Sequence, residues 1–172
     1  MHALVRSSLR LLDRLSSPQT VHAHCDIPCG IYDPHQAQIA ALTVVRMNQL
    51  INELAPPSPD ASPEDRRKAM NSLARYITVK EEHAELAKHE VRIIWGDYFK
   101  PEHLSDNPDL HTNVWNIMKL GGKNKQENNI QAAEELVAAV QAFAEAFWKS
   151  KGASTTRQPS RQVVGGEIVY PA

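Results

Sequence analysis

The residues best suited to chemistry lie in one short run near the start of the chain, from His24 to Cys29 (HCDIPC). Both cysteines of the 172-residue chain are here, Cys25 and Cys29, and a histidine directly precedes the first. Thiolates and imidazoles are side chains that readily bind transition metals. In the uncut chain the run could form a zinc or copper site completed by histidines from elsewhere. A Cys25–Cys29 disulfide and a pair of inert thiols are the alternatives.

A cut between Ala23 and His24 would change the chemistry of this run. The tripeptide before it, Val21-His22-Ala23, resembles a processing site. Cleavage would free the His24 amine, which could form a square plane with the Cys25 amide nitrogen and the thiolates of Cys25 and Cys29. That geometry favours copper or nickel over zinc, and the His24 imidazole is available as a fifth, axial ligand. Because anionic donors stabilise a higher oxidation state, the pattern predicts one-electron redox chemistry.

The residues between and after these ligands have roles of their own. Pro28 restricts the loop so that Cys29 can turn back toward the first thiolate, and Gly30 can adopt positive φ. Tyr32 places a phenol near the site, where it would hydrogen-bond a small oxygen ligand or restrict access. Asp26 would hold the loop through backbone amides. Ordinary turn and capping chemistry is the alternative interpretation of both Tyr32 and Asp26.

The elements that must position this run are helices. Apolar residues recur at helical spacing in four segments, which are about 35–54, 62–99, 107–120 and 126–149. Asp33-Pro34 and Ser62-Pro63 are start signals, and Gly121-Gly122 is expected to end the third helix as a C-cap. The short connections predict an all-α protein, an antiparallel four-helix bundle with the metal-binding hook at its N-terminus. No strand is predicted, although residues 163–164 and 168–170 would suit a short extended piece.

The two ends of the chain differ from the bundle, which with the hook spans residues 24–150. Residues 1–23 form a basic amphipathic segment, which predicts a removable leader, with a retained surface helix as the alternative. Residues 151–172 are rich in Ser, Thr, Gly and Pro and predict a flexible tail. The net charge of −1 gives no reason to expect nucleic acid or an anionic membrane as a partner. No apolar run approaches the roughly 18 residues that span a bilayer.

Four stretches of the sequence resemble one known family. The run from His24 to Pro34, His-Cys-Asp-x-Pro-Cys-Gly-x-Tyr-Asp-Pro after a removable leader, resembles the nickel hook of nickel-containing superoxide dismutases. Lys80–Glu90 (KEEHAELAKHE) and Trp95–His103 (WGDYFKPEH) resemble the family's long central helix and its end. Phe147-Trp148 is similar to its last helix. The resemblance covers about residues 22–150 and implies a four-helix bundle, assembled as a homohexamer with one nickel ion per subunit.

The same resemblance implies an activity and a ligand set. His24 would supply its amine and an axial imidazole, Cys25 its amide nitrogen and thiolate, and Cys29 the second thiolate. Tyr32 and Asp26 match the residues that line access to the nickel. The implied reaction is the disproportionation of superoxide to oxygen and hydrogen peroxide by Ni(II)/Ni(III) cycling. A non-catalytic nickel- or copper-binding helical bundle is the alternative function.

Two positions depart from the family's pattern. Some members orient the axial imidazole through a glutamate early in the first helix and an arginine on the second, and these positions hold Ala40 and His83 here. Another group must therefore orient the His24 imidazole, or the imidazole is held less firmly.

The expected partners are superoxide as substrate and a peptidase that removes the leader, with no nucleic acid and no membrane. A thiolate site survives best in a reducing compartment, and the leader lacks the apolar core of a secretory signal. The cytoplasm is therefore the expected location. An organelle or the cell exterior is the alternative if the leader is a targeting peptide.

Overall fold

The computed structural model describes residues 30–172, which contain four helices and one two-stranded sheet. The elements are α1 (His35–Glu53), α2 (Pro63–Ile93), α3 (Leu110–Gln126), α4 (Ile130–Ser150), β1 (Thr155–Pro159) and β2 (Glu167–Pro171). Helix α1 packs against α2, α2 against α3, and α3 against α4, which closes the bundle by packing against α1. This arrangement confirms the predicted four-helix bundle. None of the helices in residues 30–172 is long and apolar enough to cross a membrane.

The bundle core combines small residues on α1 with large ones on α4. Helix α1 buries Ala37, Ala41 and Val44, each with no exposed surface, so that its backbone can approach its neighbours closely. Helix α4 buries Phe143 and Phe147 equally completely. Full burial of such an aromatic side chain stabilises the folded state by about 1.5–3 kcal/mol. The large residues of α4 therefore fill the space that the small residues of α1 leave.

The first two helices begin where the sequence predicts. The Asp33 carboxylate accepts a hydrogen bond from the His35 N–H at 2.7 Å, at the first turn of α1. Ser62 Oγ accepts one from the Asp65 N–H at 3.1 Å, with Pro63 at the first position of α2. Both bonds satisfy a backbone N–H that has no partner within its helix. Ser62 is the N-cap of α2, a position where such a side chain stabilises a helix by about 1 kcal/mol, whereas Asp33 lies one residue before Pro34, the N-cap of α1.

The third helix does not end at the glycine pair, so the prediction that Gly121-Gly122 forms a C-cap is wrong. Helix α3 begins at Leu110 and continues through both glycines to Gln126. A Cβ atom at Gly121 would lie 2.6 Å from Lys88 Cδ and 3.4 Å from the Ala84 carbonyl oxygen, both on α2. The glycine therefore allows two helices to approach closely, a use that its own neighbours in sequence do not reveal.

The end of the chain is ordered, so the prediction of a flexible tail over residues 151–172 is wrong. Strands β1 and β2 pair antiparallel, and the turn between them contains Gly165 and Gly166 with φ of +76° and +75°. Ile168 and Val169 are each only 2% exposed. These two apolar residues dock the strand on the bundle and outweigh a composition that is otherwise polar. The N-terminal extension, residues 1–23, lies outside the described residues.

One carboxylate ties α2 to α3. Glu85 forms ion pairs with Lys88 and Arg92 of its own helix at 3.0 and 2.9 Å, and with Lys125 of α3 at 3.1 Å. Burial raises the pKa of Glu85, but the hydrogen bonds from Arg92, Lys88 and Lys125 outweigh it and lower that pKa to about 2. The carboxylate is thus more stable ionised in the folded chain than in the unfolded one.

We expect Glu85→Gln to lower the free energy of unfolding at neutral pH by no more than about 1 kcal/mol, because solvent screens these ion pairs. A carboxyl whose pKa is depressed by folding stabilises the protein above its unfolded pKa, and the effect disappears as pH falls through the folded value. The difference between the variant and the unmodified chain should therefore shrink between pH 4.5 and about 2. Urea unfolding across this range measures it, with Glu134→Gln on the exposed face of α4 as control. A difference that is undiminished at the acid end would contradict the assignment.

Candidate metal centre

The predicted ligands come directly before the part of the chain that the structure describes. Five predicted site residues lie outside it: His24, Cys25, Asp26, Pro28 and Cys29. The first described residue, Gly30, has φ of +72°, as predicted for the backbone that follows the second cysteine. Tyr32 is the predicted site residue that the structure places. The structure thus shows the part of the bundle to which the ligand-bearing segment, residues 24–29, is joined.

Tyr32 and Pro34 fix the chain to the end of the bundle. The Tyr32 ring is half-buried and packs against the core, with its centroid 5.7 Å from that of Tyr98. Two residues later, Pro34 is fully buried and directly precedes α1. The ligand-bearing segment is therefore joined to an anchored stretch of chain rather than to a loose one.

Tyr98 connects Tyr32 to the interior of the bundle. Its ring lies 4.8 Å from the Phe147 ring, centroid to centroid, and stacks on the His103 ring at 5.5 Å with 17° between the planes. Its hydroxyl is hydrogen-bonded to Ser150 Oγ at 2.9 Å. Since Ser150 Oγ itself donates to the Phe147 carbonyl at 2.6 Å, the Tyr98 hydroxyl is the donor. These contacts hold the Tyr98 ring in one orientation behind Tyr32.

Tyr98 reaches this position through a π-helical turn, Ile94–Tyr98, which follows α2 directly. The Phe99 N–H donates to the Ile94 carbonyl at 3.3 Å, one residue further along the chain than an α-helical bond would reach. A π turn changes the direction of the side chains after it and is found frequently at functional sites. The sequence predicts a continuous helix to about Phe99 and does not reveal this turn, although Gly96 and Pro101 weaken the helix there.

A cation lies beside the aromatic cluster. Lys151 Nζ is 5.0 Å from the Tyr98 ring centroid and 5.1 Å from that of Phe147, so its charge is held over their faces. A positive charge at this end of the bundle attracts small anions. Tyr98, His103 and Lys151 are not among the site residues that the sequence predicts, although the first two lie in the WGDYFKPEH block that carries the resemblance.

The two positions that depart from the family's pattern offer no ion pair. Ala40 is 1% exposed on α1 and carries no polar group. His83 Nδ1 lies 2.8 Å from the Val79 carbonyl oxygen, one turn earlier in its own helix. The carboxylate and guanidinium that some family members have at these positions are therefore not replaced by an equivalent pair.

The donor set fits a redox-active transition metal. Two thiolates, an imidazole and, after cleavage, an amine and an amide nitrogen are soft or borderline ligands, which suit nickel and copper better than magnesium or calcium. Among residues 30–172, no group of three His, Cys, Asp or Glu side chains is close enough to hold a metal ion.

The chain is similar to proteins of one family along most of its length. A family model described as nickel-containing superoxide dismutase matches residues 19–151. The nickel superoxide dismutase of Streptomyces seoulensis is 34% identical over 144 residues, which are 83% of this chain and all of that protein. The corresponding protein of Streptomyces coelicolor is 35% identical with the same coverage.

Solved structures give the same result. The native crystal structure of nickel superoxide dismutase superposes with a TM-score of 0.62 at 32% identity and covers 74% of this chain and 99% of that one. The metal-free form superposes with a TM-score of 0.59 at 29% identity and covers 72% of this chain and 99% of that one. The region matched by the family model ends at residue 151, so the β1–β2 hairpin lies beyond it.

Proposed function

The chain belongs to the nickel-containing superoxide dismutase family, and we propose that His24, Cys25 and Cys29 form its nickel site once the bond before His24 is cut. Its activity is the nickel-dependent disproportionation of superoxide to oxygen and hydrogen peroxide. The observation that carries the assignment of the site is the position of Tyr32. This residue lies three positions after Cys29, the last candidate ligand, and is packed against Tyr98 at the end of the bundle.

Each ligand residue has a separate task in this proposal. His24 contributes its amine and its imidazole, Cys25 its amide nitrogen and thiolate, and Cys29 the second thiolate. Bound nickel supplies the one-electron exchange that converts one superoxide to oxygen and the next to hydrogen peroxide. Asp26 and Pro28 hold the loop between the two cysteines in shape.

Tyr32 and Lys151 act on the substrate before and during the reaction. The phenol of Tyr32 can both donate and accept a hydrogen bond, so it orients a small oxygen species or a water that delivers protons. Its ring packs against Tyr98 and restricts the access of substrate to the proposed nickel site. The Lys151 ammonium, fixed over the Tyr98 ring, raises the local concentration of the superoxide anion.

We expect the native protein to begin at His24, because the proposed amine ligand exists only after cleavage. Intact mass and N-terminal sequencing of protein purified from its source measure this directly. A mature chain that still begins at Met1 would contradict the proposed ligand set. A peptidase of the producing cell is the implied partner in this step.

Assembly and location are part of the same proposal. A homohexamer is what the resemblance implies, and exposed apolar side chains such as Met70 (68%) and Trp115 (63%) support contacts between subunits. Sedimentation analysis of the processed protein gives its mass in solution. The cytoplasm is the proposed location, because thiolate ligands stay reduced there.

Superoxide decay in the presence of the processed, nickel-loaded protein tests the proposed function. Rapid decay at a rate proportional to bound nickel is the expected result. Stoichiometric nickel without turnover would instead favour a non-catalytic nickel- or copper-binding bundle. The uncut chain is the matched control, since it has the same bundle but lacks the His24 amine.

A further inference from the structure

The β1–β2 hairpin is joined to α1 through one buried glutamine. Gln38 is 2% exposed, and its Oε1 accepts a hydrogen bond from the Val169 N–H at 2.7 Å. Its Nε2 donates to the Val169 carbonyl at 3.0 Å. One side chain thus satisfies both polar groups of a buried backbone residue, as a neighbouring β-strand would. Loss of this side chain would leave both groups without a partner inside the protein.

Strand β2 follows α1 back to its first residue. A Cβ atom at Gly166 would lie 3.1 Å from Leu42 Cδ2, Val169 is bonded to Gln38, and the Tyr170 ring lies 5.6 Å from the His35 ring. From the hairpin turn toward the C-terminus, the contacts of β2 therefore move steadily toward the start of α1. The last of them is on the first turn of α1, which begins six positions after Cys29.

The opposite side of the hairpin is bound to α4. Gln141 Nε2 donates to the Glu167 carbonyl at 2.7 Å, and Arg157 Nε donates to Glu145 Oε1 at 2.7 Å. Arg157 also donates to Gln141 Oε1 at 3.2 Å. The hairpin therefore bridges two helices, and α4 provides the fixed support against which α1 is held.

We propose that the hairpin positions the ligand-bearing segment by fixing the first two turns of α1, and that Gln38 and Tyr170 are its positioning residues. The inference rests on the proposed function, since it concerns the residues assigned to the nickel site. Ligands bind a metal tightly only if the chain that carries them is already held in place. In this chain Ala40 and His83 lack the ion pair that supports the site in some relatives, and the hairpin supplies support from outside the matched region.

The test compares Gln38→Leu with Gln141→Leu in the full chain processed to begin at His24. Both variants remove a glutamine that binds the hairpin. Gln38→Leu removes its two hydrogen bonds to α1, whereas Gln141→Leu removes two hydrogen bonds to α4 and leaves the Arg157–Glu145 ion pair in place. Nickel affinity is measured by competition with a chelator, and amide hydrogen exchange of residues 35–41 is measured in nickel-free protein. Gln38→Leu should weaken nickel binding by about tenfold and accelerate exchange in residues 35–41, more than Gln141→Leu does. Equal effects of the two variants would overturn the proposal.

A second pair of variants covers the case in which Gln38→Leu fails to fold. Tyr170 is partly exposed, so Tyr170→Leu should fold. This variant should weaken nickel binding and accelerate hydrogen exchange in residues 35–41. Tyr170→Phe keeps the ring contact with His35 and should therefore leave nickel affinity and hydrogen exchange unchanged. Unchanged nickel affinity in a folded Tyr170→Leu protein would overturn the proposal. Nickel binding without superoxide turnover in the unmodified processed chain would overturn the proposed function. It would leave the proposed role of the hairpin intact, because neither nickel affinity nor amide hydrogen exchange depends on turnover.

Discussion

A processed chain with one extra alanine before His24 should lose superoxide dismutase activity by more than about 100-fold, the upper end of the loss expected from a residue that only supports a metal ligand. The added residue converts the His24 amine into an amide and moves the new amine away from the thiolates of Cys25 and Cys29. The side chains of all three residues are unchanged. The expected loss therefore reports on the amine alone.

Stopped-flow measurement of superoxide decay, normalised to bound nickel, provides the test. A chain extended by one alanine after Ala172 is the matched control, because it adds the same residue at the other terminus. Full activity of the N-terminally extended chain would show that the His24 amine is not a ligand. The bundle itself should be unaffected, so the melting temperatures of the two nickel-free extended proteins should agree.

Phe147→Ala should lower the free energy of unfolding by about 3–5 kcal/mol, the usual cost of removing a fully buried aromatic ring from a core. Phe147 has no exposed surface and its ring lies 4.8 Å from that of Tyr98 and 5.0 Å from that of Trp148. The cavity would open directly behind Tyr98, which supports Tyr32. We therefore expect a second effect, faster rotation of both tyrosine rings.

Urea unfolding measures the loss of stability, and NMR of the tyrosine rings measures their mobility. Phe147→Leu, which leaves a smaller cavity, should lose less stability, and Val163→Ala at an 88% exposed position should change it by less than about 0.5 kcal/mol. If Phe147→Ala lowered the free energy of unfolding by less than about 1 kcal/mol, the ring would not be packed tightly in the core as described.

The parts of the fold that local chemistry determines are predictable from the sequence. Asp33 and Ser62 accept hydrogen bonds from backbone N–H groups two or three residues away, at the starts of α1 and α2, so their effect is visible in the neighbouring sequence. Gly121 is different, because the residues that require a glycine at this position, Lys88 and Ala84, lie on α2 and are distant in sequence. A glycine that ends a helix and a glycine that lets two helices meet look the same in a sequence.

The candidate site divides in the same way. The ligand set that we propose, His24, Cys25 and Cys29, follows from the sequence alone because all three residues lie within six positions. The support of Tyr32 is not, because it depends on Tyr98, whose hydroxyl is bonded to a residue 52 positions away. The π-helical turn that sets the position of Tyr98 has no clear sequence pattern that would predict it. It depends on how the end of α2 packs as a whole.

The hydrogen bonds between Gln38 and Val169 also bear on the order of folding, because they join residues 131 positions apart. Contacts across such a separation require closure of a long loop and form late, after the helices between them have packed. The first turns of α1 should therefore reach their final place only in the last steps of folding. If the proposed nickel site is correct, fully folded molecules and not folding intermediates would then present the ligand-bearing segment to the metal.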